Sequence, residues 1–241
     1  MSAKSSLLPS ICLFLLSACD KSGGGEPIEP EPEPAQLEAE LANGPWTEVD
    51  HFCASLEAEA CAADETIISI LSEHRQVAAS AGNMIELSAV ISQTGDMQTG
   101  HLLLRRGDEG YWALPSLGEL EAGVSPVDHS LRVMNVQVPE GNENIVLITS
   151  AQMQRPADLW HLTQTTFACQ VDPAGPVACA RFTSMRAHTD EGVNEDLPYL
   201  EALFVPVGEG LFEVTRMDEN AGVSLFGSEV IDEGRYHIAF P

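Results

Sequence analysis

The chain has 241 residues, of which 37 are acidic and 11 are basic, so its formal net charge at pH 7 is −26. A surface of this charge repels the phosphates of nucleic acids and the anionic headgroups of lipids. Nucleic acid is therefore excluded as a partner, and any contact with a membrane has to come from a group other than the protein surface.

Residues 1–18 have the pattern of a bacterial signal peptide. One early cation, Lys4, precedes the apolar run 7–16, which is followed by the small residues Ser17 and Ala18. A transmembrane helix needs about 20 apolar residues to cross the hydrocarbon core of a bilayer, and this run is about half that length. We therefore expect the segment to be removed during export.

The four residues Leu16-Ser17-Ala18-Cys19 resemble the lipobox at which bacterial lipoproteins are processed. The resemblance implies that Cys19 carries a thioether-linked diacylglycerol and that signal peptidase II cuts before it. The alternative is an ordinary secreted protein in which Cys19 is a free thiol, but an exposed reactive thiol is a liability in an exported chain. A lipid on Cys19 would anchor the protein to the cell membrane or the outer membrane, with its domain in the periplasm or at the cell surface.

A disordered tether is expected over residues 19–45. Three glycines at 23–25 give a loose joint, and alternating Glu and Pro at 29–34 favour an extended polyproline II conformation. The stretch has few apolar side chains and charge of mainly one sign, so it has little to bury. The remaining residues, 46–241, are enough for one substantial core and contain no second linker, which predicts a single domain.

The domain is expected to begin with a helix. Thr47 followed by Asp50 resembles a capping box, in which side chains satisfy free backbone amides at the start of a helix. Apolar residues then recur at intervals that predict one buried helical face: Val49, Phe52, Cys53, Leu56 and Ala60. A second helical or mixed stretch is predicted at about 64–75.

From residue 84 onward the pattern changes to the alternation that is typical of strands. Ile85, Leu87 and Ala89 alternate with other residues, and the apolar run 102–104 follows a turn. Further strands are predicted at 111–114, 131–138, 145–150, 159–171, 177–183, 203–207, 211–216, 223–226 and 236–240. Short strands joined by turns without helical crossovers predict an antiparallel β-sandwich, or a barrel or propeller-like sheet array.

Four cysteines remain after removal of the signal peptide and lipidation of Cys19, and an oxidising compartment favours disulfides between them. A three-residue hairpin loop places Cys169 opposite Cys179 at a non-hydrogen-bonded pair, with Cα atoms about 4.5 Å apart. Cys53 and Cys61 can pair only if the helix ends between them, because a straight helix would hold their Cα atoms about 12 Å apart. A redox dithiol or a metal site is the alternative, but neither C-x-x-C nor His–Cys ligand spacing is present.

No catalytic or ligand-binding motif is recognisable. The seven histidines are scattered without an H-E-x-x-H motif, and no serine stands in a G-x-S-x-G turn. The densest cluster of possible metal ligands, at 188–196, is interpreted as a solvated acidic loop. The segment 136–147 has too few carboxylates at alternate positions for a calcium loop. We therefore expect no catalytic residue, no metal and no cofactor.

These patterns favour a non-enzymatic lipoprotein of the cell envelope whose β domain binds or scaffolds another envelope component. Its expected partners are the membrane, through the lipid on Cys19, and another envelope protein or a polysaccharide. Two alternatives stay open: a lipid-anchored hydrolase whose carboxylates come together from distant loops, and a calcium-dependent adhesion module. A deep cleft with two facing buried carboxylates would favour the hydrolase, and a flat or edge-exposed sheet would favour binding.

Overall fold

The computed structural model describes most of the chain beyond residue 31. The chain divides into two compact units, Met1–Pro32 and Glu33–Pro241, and the described residues belong almost entirely to the second. The predicted signal peptide, Cys19 and the helical stretch predicted at 64–75 lie outside the described residues. The description covers residues 32–63, 85–95, 97–106, 108–117, 129–137, 139, 144–154, 160–171, 175–189, 198–208, 210–219 and 226–241.

The described residues are mostly in strands, with one short helix, α1, at Val49–Ser55. This composition confirms the predicted mainly β fold with a short N-terminal helical segment. No helix in the described part of the chain is long and apolar enough to cross a bilayer. The strands are β1 (Ala35–Glu38), β2 (Glu40–Leu41), β3 (Asn43–Trp46), β4 (Ala60–Ala63), β5 (Ile85–Thr94), β6 (Met97–Arg106), β7 (Tyr111–Ala113), β8 (His129–Gln137), β9 (Ile145–Gln154), β10 (Trp160–Gln170), β11 (Ala178–Thr189), β12 (Tyr199–Gly208), β13 (Leu211–Glu219) and β14 (Gly234–Ala239).

These strands form two sheets. The small sheet has the order β3-β7-β6-β5-β4, and the large sheet has the order β1-β14-β13-β12-β11-β10-β9-β8, with β2 paired to β11. Neighbours in both sheets are antiparallel, except that β1 runs parallel to β14. The large sheet curls into a half-barrel, so the fold is a β-sandwich with barrel-like character, as the turn-linked strands predicted.

The small sheet is buried on both faces, which explains why Leu102, Leu103 and Leu104 are all inaccessible to solvent. Leu102 and Leu104 pack in the main core with residues of the large sheet such as Ile148. Leu103 belongs to a separate cluster under α1, where it packs with Phe52. A strand covered on both sides needs apolar residues at every position, and the alternation seen in β5 is therefore lost here.

A second core lies within the curl of the large sheet. It joins Ala168 and Ala180 from the middle of the sheet to Phe212 and Ile238 from β13 and β14. Phe212 is fully buried, and its ring stacks on Phe204 with centroids 4.4 Å apart. Because strands far apart in the sheet order share this cluster, burial of their apolar residues holds the sheet in its curled form.

The domain begins earlier than predicted, because residues 35–46 form β1, β2 and β3 rather than the end of a disordered tether. Leu37 packs against the core inside the curl, and the Ala39 amide donates to the Ala239 carbonyl at 3.0 Å. Edge strands of this kind need little apolar surface, since backbone hydrogen bonds to an existing sheet fix them in place. Because residues 35–45 have few large apolar side chains, the predicted tether extends too far along the chain.

Helix α1 is shorter than the apolar pattern suggested, and it allows the first disulfide. The helix ends at Ser55, and a turn through Glu57, at a φ of 49°, leads the chain back into β4. Cys53 and Cys61 are joined by a disulfide with Cα atoms 5.6 Å apart. The predicted capping box is wrong, because Glu48 is the N-cap residue and makes no side-chain cap hydrogen bond.

The hairpin β10–β11 has the register expected around its cysteines. Cys169 lies opposite Cys179, the two are joined by a disulfide, and their Cα atoms are 4.0 Å apart. The Val171 amide donates to the Asn144 carbonyl on the β9 side. Residues two apart in a strand direct their backbone amides to the same side. The Cys169 amide therefore also points away from β11, as it does at a non-hydrogen-bonded pair.

Candidate functional site

Residues 226–233, here called the covering segment, lie over one part of the large sheet and are not a strand of it. Phe226 packs in a cluster with Leu200 of β12, and the Ile231 amide donates to the Thr183 carbonyl at 3.0 Å. The segment lies between β13 and β14 in the sequence but contacts β11 and β12 as well. The covering segment is therefore held by contacts with several strands of the sheet.

Arg216 of β13 is the main anchor of the covering segment. Its Nε donates to the Ile231 carbonyl at 2.8 Å, and its Nη2 donates to the carbonyls of Gly227, at 2.8 Å, and of Val230. Its Nη1 pairs with Oδ1 of Asp232 at 3.1 Å, and the arginine side chain is 9% exposed. The rigid fork of a guanidinium suits such a set of acceptors, because its donors point in several fixed directions at once.

A cavity of about 470 Å³ opens beside this anchor, lined by Leu200, Arg216, Asp218, Asp232 and Glu233. Three of its lining residues are carboxylates, and all three are exposed to solvent. A carboxylic acid that donates a proton in catalysis is usually held in an apolar, buried setting. The geometry of this cavity therefore suits the attraction of positive charge better than acid–base catalysis.

A second cavity of about 330 Å³ is lined by residues 227–232 of the covering segment, with Leu37, Phe182 and Tyr236 among its other lining residues. The Tyr236 hydroxyl donates to the Asp232 carbonyl at 2.9 Å. Burial and then the Asp232 carboxylate raise the pKa of Tyr236, while Arg216 acts in the opposite direction. The phenol therefore stays protonated and acts as a hydrogen-bond donor to the segment.

Two histidines meet at the other end of the covering segment. His161 of β10 lies opposite His188 of β11, with ring centroids 4.6 Å apart, and the His188 ring lies 5.2 Å from the Phe226 ring. Nearby, Arg186 pairs with Glu229 at 3.3 Å. Burial, followed by the charge of His161, lowers the pKa of His188, and Glu229 opposes the shift. His188 is therefore held in its neutral form near neutral pH.

Ser92 and His101 also lie together, but their surroundings do not suit nucleophilic catalysis. Ser92 Oγ lies 2.8 Å from His101 Nε2, Ser92 is 7% exposed, and the Phe52 ring packs edge-on against the imidazole. A catalytic serine needs an accessible hydroxyl and a base oriented by a third group. Within the described residues, the His101 imidazole has no hydrogen-bond partner besides Ser92. We interpret the pair as a satisfied polar contact beneath α1.

This contact predicts a pH dependence of stability. Burial lowers the pKa of His101, so the unfolded chain takes up a proton more readily than the folded chain. The stability that comes with the neutral ring is complete above about pH 6.5, and it is lost as the pH falls towards the folded pKa. A His101→Gln variant has no imidazole to protonate at this position, so it should not lose this part of the stability on acidification. Thermal melts at several pH values should show the wild type losing more in Tm on acidification than the variant, whereas parallel curves would contradict the prediction.

The cysteines predicted as site residues have separate structural positions. The disulfide between Cys53 and Cys61 joins α1 to β4, an edge strand of the small sheet. Cys169 and Cys179 belong to the main core. None of these four cysteines lines either of the two cavities at the covering segment. Cys19, the predicted lipidation site, lies outside the described residues.

The sequence offered few other candidates, and most fall outside the description. Residues 190–196 of the acidic cluster are not described, and neither are residues 138 and 140–143 of the suspected calcium loop. Across the described ranges, no group of three or more His, Cys, Asp or Glu side chains is placed to hold a metal ion. The strand predicted at 223–226 is described only at Phe226, which lies in a helical turn.

The opposite face of β12 carries an exposed row of apolar side chains that the sequence analysis did not single out. Leu203, Val205 and Val207 are 41%, 50% and 46% exposed, and Met217 on β13 is 40% exposed. We call these four residues the apolar ladder. The register sets Val205 opposite Glu213. The strand was predicted at 203–207, but its two faces were not assigned from the sequence.

No protein-family model matches this chain, and no curated protein or solved structure is significantly similar to it. Its function is therefore argued from its own residues.

Proposed function

We propose that this chain is a lipid-anchored protein of the bacterial cell envelope whose β domain binds another envelope protein and catalyses no reaction. The lipobox-like sequence ending at Cys19 supports the anchor. The observation that supports binding is the apolar ladder, because contiguous exposed apolar side chains on a folded domain are typical of interaction surfaces.

The position of the ladder favours contact through side chains. Strand β12 pairs with β11 only over residues 199–201 but with β13 over residues 199–208, so the ladder is part of a sheet face that presents side chains. Full burial of a Val or Leu side chain contributes about 1.5–3 kcal/mol, so completing the burial of three half-exposed ones contributes several kcal/mol. That is enough for a stable contact centre once polar contacts surround it.

The surroundings of the ladder indicate the chemistry of the partner. Glu201, Glu213 and Glu219 lie on the same two strands, and the charge of Glu219 is the largest cause of a raised pKa at Tyr199. A negative rim of this kind attracts a basic surface and repels acidic ones. We therefore propose a partner whose contact patch is apolar at its centre and basic at its edge.

The hydrolase alternative has less support. It requires two facing buried carboxylates, and the three carboxylates of the larger cavity are exposed. Those of Asp218 and Glu233 border a guanidinium that is already paired with Asp232. Non-enzymatic binding therefore accounts for the site with fewer assumptions.

Site-specific photocrosslinking tests the binding surface. We expect a photoreactive residue at Val205, in cells that produce the full chain, to form a discrete adduct with an envelope protein. Leu203→Lys should abolish this adduct, because a charged side chain would have to be buried in the contact centre. The adduct should be identified by mass spectrometry, and its surface should carry the basic and apolar patch described above.

The matched control places the same photoreactive residue at Thr94, which is exposed at the end of β5. A Thr94→Lys change adds the same charge as Leu203→Lys and should leave the Val205 adduct intact. An equal yield of adduct from both positions, or no adduct from Val205, would refute the proposed surface. An adduct of twice the chain mass would identify self-association in place of a separate partner.

The anchor has its own test. Cells that produce the full chain are expected to incorporate labelled palmitate into it, and Cys19→Ala should remove the label completely, since no other residue in the segment carries the lipobox pattern. Globomycin, which blocks signal peptidase II, should cause the uncleaved form to accumulate. A Cys12→Ala variant serves as the control and should keep the label. Retained palmitate in the Cys19→Ala chain would disprove the anchor.

A further inference from the structure

The contact between His161 and His188 has the geometry of a pair of metal ligands. The His188 amide donates to the Pro198 carbonyl at 3.0 Å, so the backbone groups of His188 face away from β10. The two histidines therefore occupy a non-hydrogen-bonded pair of the antiparallel ladder, where facing Cα atoms are about 4.5 Å apart and side chains are closest. Both imidazoles project from neighbouring strands on the same face of the sheet.

The distance between the rings agrees with coordination of one ion. Two imidazole nitrogens on a zinc ion, each about 2.0–2.1 Å from it at angles of 90–110°, place the ring centroids about 4.5–5.2 Å apart. The centroids of His161 and His188 are 4.6 Å apart. We infer that His161 and His188 form a binding site for a divalent late transition metal of the Zn²⁺ or Cu²⁺ type, the class that imidazole ligands favour.

The surroundings favour a ligand role for the pair. His188 Nδ1 is buried, and among the described residues no hydrogen-bond partner faces it. Glu229 adds a carboxylate beside the pair, although its charge is shared with Arg186. Two protein ligands leave the other coordination positions to water or to a group from a bound molecule.

Metal titration of the full chain, purified in detergent, tests the site. Excess Mg²⁺ in the buffer occupies the surface carboxylates, which favour hard cations, so that zinc binding reports on imidazole ligands. Isothermal titration with ZnCl₂ should give one equivalent per chain near neutral pH. Binding should weaken at about pH 5, where protons compete for the ring nitrogens.

His161→Phe preserves a ring against His188, and His188→Phe preserves one against Phe226. Each variant should weaken zinc binding by at least about tenfold, since each removes one of two ligands. His51→Phe is the matched control, because His51 is an exposed histidine on α1, and it should bind zinc like the wild type. Retained affinity in both Phe variants, or no zinc binding by the wild type in excess Mg²⁺, would overturn the site.

A measurement on the wild type removes any dependence on how the variants fold. Nuclear magnetic resonance of the histidine C2–H protons should show two of the seven histidine signals responding to substoichiometric zinc. Those two signals should be the ones missing in His161→Phe and His188→Phe. A response spread over other histidines, with the His161 and His188 signals unchanged, would reject the proposal.

Discussion

Arg216→Met is expected to lower the free energy of unfolding by about 3 kcal/mol, because it removes the donors that hold the covering segment. Methionine fills much of the same volume but offers no hydrogen to the carbonyls of Gly227, Val230 and Ile231. These acceptors would be left buried or would have to reach water by moving the segment. Denaturant unfolding measures the loss, and hydrogen exchange should rise at the amides of residues 229–231.

Arg105→Met is the matched control for this change. Arg105 is about one-third exposed and pairs with Glu86 at 3.5 Å on the small sheet. A solvent-exposed pair of this kind contributes about 0–1 kcal/mol, so its loss should be small. Arg216→Lys should resemble Arg216→Met, since one ammonium cannot reach three carbonyls and a carboxylate together. Equal losses in Arg216→Met and Arg105→Met would show that the covering segment is held by other contacts.

Replacing both Cys169 and Cys179 with alanine is expected to cost about 3 kcal/mol of stability or more. The crosslink closes a loop with a sequence separation of 10, and in the chain-entropy description such a loop accounts for nearly all of that figure. Both residues are also buried in the main core, at 0% and 1% exposure, so alanine leaves empty volume behind. Thermal or denaturant unfolding of the double variant measures the cost.

The other disulfide provides the comparison. Cys53 and Cys61 close a loop with a sequence separation of 8, so loop entropy alone predicts a similar cost. They are only partly buried, and β4 is an edge strand of the small sheet. We therefore expect the Cys53→Ala and Cys61→Ala double variant to lose about 1 kcal/mol less than the core pair. Equal losses of unfolding free energy in the two double variants would mean that burial of the Cys169 and Cys179 sulfurs does not contribute to stability.

The central strands were predictable from the sequence because their apolar side chains pack in the cores. Ile85, Leu87 and Ala89 alternate along β5, and β10 and β11 were predicted together with their cysteine register. The short edge strands β1–β4 were not predictable in this way. They are stabilised largely by backbone hydrogen bonds to a sheet formed by distant residues, and such bonds leave little trace in the side-chain pattern.

The histidine pair shows how one local irregularity hides a site. Counting outward from Cys169 and Cys179 sets His161 opposite Ala187. A β-bulge between Gln164 and Thr165 shifts the register by one residue, so His161 faces His188. A one-residue shift changes which side chains share a face of a sheet, and nothing in the sequence of this hairpin marks the bulge.

The anchor of the covering segment was equally hidden. Arg216 was predicted at the end of a strand, where an arginine is usually solvated. Its acceptors are carbonyls of a segment more than ten residues further along the chain, and carbonyls are present in every residue. A sequence pattern cannot distinguish the arginine that meets such acceptors from one that meets water.

The parallel pairing of β1 with β14 has a consequence for the timing of folding. It brings together the first and last strands of the described fold, where Gln36 and His237 approach although they are 201 positions apart in sequence. Contacts between such distant residues form late, because a long loop has to close before they are gained. As the chain emerges from its N-terminus, β1 therefore has to wait for β14, and a truncated product without β14 would expose β1 without its partner.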